Sequence, residues 1–206
     1  MPKQTFFNLS IGKQEALINA AMKEFSRVQL FEASISNIVK SAGISRGSFY
    51  QYFDDKEDVF YFLLNNHSKE MQKNFILSLK KVDGDIFEAF IEMFQYMMKN
   101  FQNQQNRDFF KNIFLNMNHK TENTLTQNVN EKMCNDHFSE IFGLINTTNL
   151  NVTKDEEIFL VFKIIMAVMF QNLIHNFAVE LPFEESIKNY TLEINMLKKG
   201  LYREDK

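Results

Sequence analysis

Hydrophobic residues recur along this chain at the spacing of α-helices, and no stretch alternates between polar and apolar residues long enough to predict a β-strand. Ser10 can cap a first helix, in which apolar residues fall every three or four positions. Ser34 can cap a second, short helix that ends at Gly43, because glycine readily adopts the left-handed conformation that closes a helix. Ser45 can cap a third helix, which runs through Phe53.

Longer helices are predicted in the rest of the chain. Asp54, followed three residues later by Glu57, is typical of a capping box and begins a long helix to about Lys81. The stretch Asp83-Gly84-Asp85 interrupts the pattern. Further helices are predicted over residues 86–103, 107–117, 122–144, 153–179 and 184–201. We expect a small N-terminal domain, residues 1–54, and a larger helical domain, residues 55–206.

Composition supports long helices in a globular chain, since 206 residues include only 2 Pro and 6 Gly. A single cysteine, Cys134, cannot form an internal disulfide, which fits a reducing compartment. The N-terminal residues lack the basic start and apolar run of a signal peptide. The apolar stretch from Ile158 to Ile174 is interrupted by polar residues and is shorter than a membrane span. We therefore expect a cytoplasmic protein with no membrane partner.

Charge is distributed unevenly, although the net charge is only −3. Residues up to Phe53 carry a net charge of +3, and the remainder carries −6. A basic head joined to an acidic body indicates two parts that bind different partners.

Residues 34–53 have the spacing of a helix-turn-helix, whose second helix places its N-terminal residues in the major groove of DNA. At that end Gly47 and Ser48 are small enough for the backbone to approach the bases, and Arg46 can reach a guanine edge. Gln51 lies one turn further on and can bond to an adenine edge.

The four aromatic residues of this segment divide between two faces. Phe49 and Phe53 are four positions apart and are predicted to pack in the core. Tyr50 lies on the other side, where its hydroxyl can meet a phosphate, and Tyr52 fits either role. Lys56, at the start of the next helix, can also bind a phosphate. On this pattern alone, an ordinary helical hairpin with an aromatic core remains an alternative.

Residues 33–57 resemble the DNA-binding segment of the TetR family of bacterial repressors. The resemblance rests on the short helix, Ala42-Gly43-Ile44, the helix ending Tyr50-Gln51-Tyr52-Phe53 and Lys56, and it covers about residues 10–64. It implies an all-α fold in which a three-helix helix-turn-helix domain is joined by a long helix to a larger ligand-binding and dimerisation domain. It also implies dimers on pseudo-palindromic operator DNA. The implied base-reading residues are Arg46, Gly47, Ser48 and Gln51, and the implied phosphate contacts are Ser34, Ser36, Tyr50, Tyr52 and Lys56.

The resemblance further implies a homodimer interface formed by the last two helices. The helix predicted from Thr153 is apolar over much of its circumference, so it must be buried on several sides. A purely intramolecular core is the alternative. The candidate interface residues are Phe159, Phe162, Met166, Tyr190, Ile194 and Leu197.

An effector pocket is the other feature that the resemblance implies. Helices rich in Phe and Met suit adaptable apolar cavities, although each such residue is individually more often plain core. The candidates are Phe87, Phe90, Phe94, Met97, Met98, Phe110, Phe114, Met117, Phe170 and His175. No acidic residue stands inside the apolar runs of these helices, so we expect a small apolar or aromatic effector rather than a cation.

Histidine residues raise an alternative, because some similar regulators sense haem or a metal. Cys134 and His137 are three positions apart, and His119 lies upstream. Helical neighbours reach this spacing by accident, and no second cysteine is present, so neither a metal nor a cofactor is predicted. His175 is the histidine to test first.

Enzyme activity is not expected, since the chain shows no catalytic triad spacing, no Gly-rich phosphate loop and no paired carboxylate site. A helical interaction module without a DNA role would leave the basic head unexplained. The leading interpretation is a ligand-responsive transcriptional repressor, followed by a DNA-binding protein without ligand control.

Overall fold

The computed structural model of this chain describes residues 1–117, 120–121 and 136–202. Within these ranges the chain is helical and contains no β-strand beyond an isolated bridge between Leu150 and Tyr202. The all-α prediction is confirmed. In chain order the helices are α1 (Gln4–Phe7), α2 (Ile11–Arg27), α3 (Ile35–Ala42), α4 (Arg46–Tyr52), α5 (Lys56–Lys81), α6 (Ile86–Asn100), α7 (Gln104–Leu115), α8 (Asp136–Leu144), α9 (Asp155–Val179) and α10 (Phe183–Leu201).

The chain folds into two compact units. The described part of the N-terminal unit comprises residues 1–69, 101–117 and 120–121, and that of the C-terminal unit comprises residues 70–100 and 136–202. The helix α5 therefore contributes its first half to one unit and its second half to the other. The helix α7 belongs to the N-terminal unit, although the sequence-based division placed all residues after 54 in the second domain.

The turn between α3 and α4 forms as the sequence predicts. Gly43 has φ +68° and ψ +30°, the left-handed conformation, and the following amide of Ile44 donates to the Val39 carbonyl at 3.1 Å. The Ser45 hydroxyl then accepts a hydrogen bond from the Ser48 amide at 3.0 Å, which caps α4. Two short helices are thus joined by three residues.

The start of α5 differs by one residue from the predicted capping box. The carboxylate of Asp55 accepts from the Asp58 amide at 2.8 Å, and the Asp58 carboxylate accepts from the Asp54 amide at 3.1 Å. Asp55 rather than Asp54 is therefore the cap, and Asp58 rather than Glu57 reciprocates. The Asp54 carboxylate instead forms an ion pair with Lys3 at 2.6 Å.

Helix α1 was not predicted from the sequence, which placed the first helix after Ser10. It is a single turn, too short to be stable by itself. Phe6 holds it in place, since this side chain is buried and its ring centroid lies 5.2 Å from that of Phe53 and 5.5 Å from that of Phe62. The adjacent aromatic pair, Phe6 and Phe7, was the signal available in the sequence.

In the N-terminal unit, α2 packs against both α3 and α7. The Asn112 side-chain amide on α7 donates to the carbonyls of Phe25 and Ser26 at 2.9 and 3.1 Å, so it caps the C-terminal end of α2. Helix α7 begins three residues earlier than predicted. Asn103 caps it by accepting from the Asn106 amide at 3.1 Å, although the sequence placed Asn103 at the end of the preceding helix.

In the C-terminal unit, α10 packs against α6 and α9. The rings of Phe94 and Tyr190 are stacked with centroids 4.1 Å apart, which places α10 directly on α6. Phe162 of α9 contacts Phe90 and Phe75, with ring centroids 5.1 and 5.7 Å away. The core of this unit is therefore built mainly from aromatic side chains.

Gly84 stands between α5 and α6 at a point of close backbone approach. Its φ is +81°, and a Cβ atom added there would lie 2.3 Å from the Leu144 carbonyl oxygen. The Gly84 carbonyl accepts from the Asn146 amide at 2.9 Å. The interruption of the helical pattern predicted at residues 83–85 is therefore also the place where the loop after α8 contacts the turn between α5 and α6.

Helix α9 is longer than the apolar stretch seen in the sequence. Within the described ranges, its segment Glu156–Val179 is long and apolar enough to cross a membrane, judged by length and composition alone. The core helix of a soluble protein meets the same criterion. The helix packs against α6 and α10, and its residues Ile165, Met169 and Leu173 are buried.

Candidate nucleic-acid interface

Helix α4 has one face in the core and one face in solvent. Phe49 and Phe53 are both fully buried, as predicted. Arg46, Gly47 and Gln51 are exposed. The half-buried Ser48 completes the set proposed to read bases, and its hydroxyl lies 2.9 Å from that of Ser45. A Cβ atom on Gly47 would meet only the Ser45 hydroxyl oxygen, at 3.8 Å, so nothing within the protein requires glycine there.

The two tyrosines of α4 differ in exposure. Tyr50 is exposed, and its hydroxyl accepts a long hydrogen bond of 3.4 Å from the Arg46 guanidinium. The guanidinium carbon lies 5.9 Å from the Tyr50 ring centre, so the two side chains lie side by side on the solvent face. Tyr52 is half-buried. Both tyrosines keep part of their surface available for a DNA backbone.

Lys56 has an intramolecular role that the sequence did not indicate. Its ammonium donates to the carbonyls of Phe31 and Ala33, at 2.6 and 3.1 Å. These bonds fasten the loop between α2 and α3 to the start of α5. A lysine ammonium has three donors, so one remains for a phosphate.

The N-terminal end of α3 is held by Glu24, which the sequence analysis did not single out. This carboxylate is buried and accepts from the Arg27 guanidinium at 2.8 and 3.0 Å, the Ser34 amide at 2.9 Å and the Asn37 side chain at 3.0 Å. Burial by itself would raise the pKa of the Glu24 carboxyl, but these hydrogen bonds lower it below its ordinary value. Ser36, the other candidate on α3, is exposed.

Charged side chains line an open groove of about 490 Å³ between α2 and α3. Lys23, Arg27 and Lys40 face it, together with Glu24 and Asn37. The Glu24 charge is matched by Arg27, so Lys23 and Lys40 give this side of the helix-turn-helix a positive character. The basic head inferred from the sequence is thus concentrated on these two helices.

The predicted pocket residues lie in both units. Phe87, Phe90, Phe94, Met97 and Met98 are buried on α6. Phe110 and Phe114 are buried on α7 in the N-terminal unit, and Met117, which follows α7, is half-buried. On α9, Phe170 is half-buried and His175 is exposed. The groove described above and a cleft of about 160 Å³ beside Phe25 and Phe60 are lined by other residues.

The predicted interface residues are only partly at the surface. Phe162, Tyr190 and Ile194 are buried within a single chain, so they form the intramolecular core instead; Phe159, Met166 and Leu197 are half-buried. The large apolar side chains that α9 and α10 do expose are Leu160, Ile164 and Val179, which are 53%, 45% and 52% exposed, and Leu192 and Met196, which are 55% and 73% exposed. Periodicity did not separate the inner from the outer faces of these two helices.

Within the described ranges, no group of three or more His, Cys, Asp or Glu side chains could hold a metal ion. His67 lies against the rings of Phe109 and Phe110, and His175 is exposed. Cys134 and His119 lie outside the described residues, as does the side chain of His137.

Comparison with protein families covers both units. The family described as bacterial regulatory proteins, tetR family, matches residues 17–61, and the tetracyclin repressor-like C-terminal domain matches residues 85–201. The uncharacterized HTH-type transcriptional regulator YvdT of Bacillus subtilis is 48% identical over 56 residues, which are 27% of this chain and 26% of YvdT. The matched segment thus spans about a quarter of that relative's length.

Solved structures resemble the chain over most of its length. SmeT, the repressor of the Stenotrophomonas maltophilia multidrug efflux pump SmeDEF, has a TM-score of 0.69 at 12% identity, with 92% of this chain and 90% of SmeT covered. FadR from Bacillus subtilis, solved in complex with stearoyl-CoA, has a TM-score of 0.64 at 12% identity, with 87% and 96% covered. At this identity the likeness shows the fold. With one family match over the helix-turn-helix and another over more than half of the chain, this protein belongs to the TetR family of transcriptional regulators, which bind DNA and are not enzymes.

Proposed function

We propose that this chain is a cytoplasmic transcriptional repressor that binds a pseudo-palindromic operator as a homodimer. A small apolar or aromatic effector releases it from DNA. The observation that carries the proposal is the division of α4, which buries Phe49 and Phe53 and presents Arg46, Gly47 and Gln51 to solvent. A helix is suited to the major groove when its aromatic face is buried and its exposed face carries small and hydrogen-bonding residues.

The proposed DNA contacts divide into two classes. Arg46, Gly47, Ser48 and Gln51 read base edges, because they share the solvent face of α4 or lie at its N-terminal end. Ser34, Ser36, Tyr50, Tyr52 and Lys56 contact phosphates and set the register of the protein on the duplex. Glu24 supports the phosphate contacts, since its carboxylate accepts a hydrogen bond from the Ser34 amide and thereby positions this residue.

The homodimer is proposed to form through α9 and α10. Leu160 and Ile164 are four positions apart on α9, and Leu192 and Met196 are four positions apart on α10. Each pair therefore marks one exposed apolar stripe on its own helix. A second copy that covers these stripes would bury them and set two α4 helices at a fixed separation, which a two-fold operator requires. Phe159, Met166 and Leu197 border this surface.

An apolar effector is favoured by the composition of the C-terminal unit. Helix α6 contributes three Phe and three Met residues to this core, and such side chains adapt readily to apolar molecules. FadR, with a similar fold, was solved with stearoyl-CoA, which carries a long apolar chain. An effector that prefers a conformation unsuited to the operator lowers DNA affinity by its differential affinity for the two conformations.

Sequence-selective DNA binding tests the proposal. A duplex enriched by the full-length protein from a random-sequence library should bind in a salt-sensitive manner. Arg46→Ala should cost about 1–3 kcal/mol at one base position and relax the preference there. Lys73→Ala, which removes one exposed charge from the C-terminal unit, serves as the control. Failure of the wild-type protein to select any sequence would sink the proposal.

Effector control is tested separately with that duplex. Stearoyl-CoA and a set of small aromatic compounds are titrated into the protein–DNA complex, and release is followed by fluorescence anisotropy. At least one compound should lower the affinity. If none does, a DNA-binding protein without ligand control becomes the better description. In the described part of the chain, no contact favours the alternative of a haem- or metal-responsive regulator.

A further inference from the structure

The helix α4 is too short to hold its own shape. It has seven residues, and helices below about 12–15 residues are marginal in water. The last four carbonyls of any helix also lack partners within that helix. A helix that must place Arg46 and Gln51 against base edges therefore needs support at its C-terminal end as well as at its Ser45 cap.

In α4, each of the last four carbonyls accepts a hydrogen bond from a residue outside the helix. The amide of Phe53 donates to the Phe49 carbonyl at 3.0 Å. The Lys3 ammonium donates to the Tyr50 carbonyl at 2.9 Å, and the Thr5 hydroxyl donates to the Gln51 carbonyl. The Lys3 amide donates to the Tyr52 carbonyl at 2.8 Å. Three of the four donors thus come from residues 3–5, which lie outside the helix-turn-helix.

Electrostatics and packing both hold this segment on α4. The Lys3 ammonium places a positive charge at the negative end of the helix and forms an ion pair with Asp54 at 2.6 Å. Phe6 is buried against Phe53, the residue that follows α4. Polar contacts to the backbone and an aromatic anchor therefore act on the same two turns of helix.

We propose that residues 3–6 form a strap that positions the recognition helix, and that Lys3 and Thr5 are positioning residues for DNA binding. The strap lets α4 enter the groove as a rigid element, since its terminal carbonyls are already bonded before DNA arrives. The inference rests on the proposed role of α4 in reading bases. It assigns Lys3 to the protein backbone rather than to a DNA phosphate.

Three substitutions separate the contacts of the strap. Thr5→Val removes the donor to Gln51 with little change of shape, and Lys3→Met removes the donor to Tyr50 together with the charge. Lys3→Pro removes in addition the amide that bonds to Tyr52. Lys3 has φ −75° and ψ 157°, angles that proline adopts without strain. Lys13→Met, at an exposed lysine on α2, is the control for loss of charge.

Hydrogen exchange of the free protein tests the strap without DNA. The amides of residues 49–53 should exchange several-fold faster in Lys3→Met and Thr5→Val, and faster still in Lys3→Pro, because a lost hydrogen bond loosens the helix locally. Exchange in α2 and in the first half of α5 should stay at the wild-type rate. Unchanged exchange in α4 would overturn the proposal. This measurement remains decisive even if the proposed operator binding fails.

Affinity for the library-selected duplex tests the consequence for DNA. Each single strap variant should bind about 3- to 10-fold more weakly, from the usual net value of one or two hydrogen bonds. Affinity for an unselected duplex of the same length should stay within about twofold, and Lys3→Arg should restore selective binding because arginine keeps a donor. The slope of log affinity against log salt should not change in Lys3→Met. A slope reduced by about 0.9 would show a lost phosphate contact and overturn the assignment of Lys3.

Discussion

The side-chain nitrogen of Lys198 lies 2.7 Å from a carboxylate oxygen of Asp85, 113 positions earlier in the chain. The same nitrogen donates to the Glu88 carboxylate at 2.9 Å, and the Tyr202 hydroxyl donates to Asp85 at 3.1 Å. The other Asp85 oxygen accepts from the amides of Phe87 and Glu88 in the first turn of α6. One lysine therefore joins the end of α10 to the beginning of α6.

Replacement of this lysine should weaken the C-terminal unit. Lys198→Met keeps most of the aliphatic length but removes both ion pairs, so we expect the free energy of unfolding to fall by about 1–2 kcal/mol. The value is moderate because the Lys198 side chain is 21% exposed and water screens part of the interaction. Lys199→Met, at the exposed neighbouring position, should change stability by less than about 0.5 kcal/mol in urea denaturation. Equal effects of the two would contradict the role of Lys198.

The same contacts predict a pH dependence. Burial would raise the pKa of Asp85, but the Lys198 and backbone hydrogen bonds lower it below its ordinary value. Its stabilising contribution is thus complete above about pH 4, the unfolded value, and is lost as pH falls through the folded value. Burial would lower the pKa of Lys198, yet its two carboxylate partners raise it, so that contribution is lost only above about pH 10. The difference in free energy of unfolding between the wild type and Lys198→Met, measured by urea denaturation, should accordingly shrink as the pH falls below about 4.

Gly84 should not tolerate a side chain. Gly84→Ala would force a Cβ atom to within 2.3 Å of the Leu144 oxygen and 2.7 Å of the Asn146 amide nitrogen, at a φ that alanine rarely adopts. We expect a loss of at least about 2 kcal/mol in the free energy of unfolding. Gly143→Ala has open space around the added methyl and should be neutral or stabilising. A similar thermal midpoint for the two variants would argue against this close approach.

Glu24 should couple the stability of the N-terminal unit to DNA binding. Glu24→Ala leaves the Ser34 amide and Asn37 without their acceptor, and we expect a loss of about 2 kcal/mol together with weaker operator binding. Glu24→Gln keeps one carbonyl oxygen in place and should recover part of both losses. Glu15→Ala, on the exposed side of α2, is the matched control. Chemical denaturation and duplex titration measure the two effects, and wild-type DNA affinity in Glu24→Ala would contradict the coupling.

Gly47 should be dispensable for folding and needed for DNA. The added methyl of Gly47→Ala has room, and alanine is the better helix former by up to about 1 kcal/mol, so stability should be kept or raised. Affinity for the selected duplex should fall by about tenfold or more, because the methyl stands between the backbone and the bases. Gly200→Ala, where space is also open, should leave DNA affinity unchanged. Unaltered DNA binding by Gly47→Ala would exclude a close backbone approach.

A charge on the exposed stripe of α10 should break the proposed homodimer. Met196→Glu places a carboxylate where a partner is expected to bury an apolar side chain, and the dimer should dissociate at micromolar concentration. Glu193→Gln changes charge on the same helix without entering the apolar stripe and serves as a control. Analytical ultracentrifugation reports the outcome. A monomeric wild-type chain, or a dimer that is unaffected by Met196→Glu, would contradict the proposed interface of α9 and α10.

Local signals account for the parts of the fold that were predicted correctly. Gly43 and Ser45 act within three or four residues, so their turn and cap could be read from the sequence alone. Phe49 and Phe53 were assigned correctly to the core because a four-residue spacing on so short a helix leaves one inner face. The start of α5 was shifted by one residue because Lys3, distant in sequence, takes the carboxylate of Asp54.

Long-range contacts explain what the sequence could not show. Phe6 forms a helix only because Phe53 and Phe62 bury it, and the run of five polar residues from Gln102 to Asn106 hid the start of α7. Tyr190 and Ile194 are on the helix expected to form an interface, but only the packing against α6 shows that they point inward. The role of Glu24 likewise depends on three donors that lie up to 13 positions away.

The amide of Asn112 at the end of α2 has a consequence for building hybrid regulators. Asn112 lies within the segment that matches the C-terminal family, yet its hydrogen bonds serve the DNA-binding half of the molecule. A chimaera joined at residue 54 would exchange α7 along with the ligand-binding helices and would leave the carbonyls of Phe25 and Ser26 to a foreign partner. A hybrid that combines this helix-turn-helix with another ligand-binding domain should therefore retain α7. The segment that is exchanged then consists of two stretches of sequence, one before α7 and one after it.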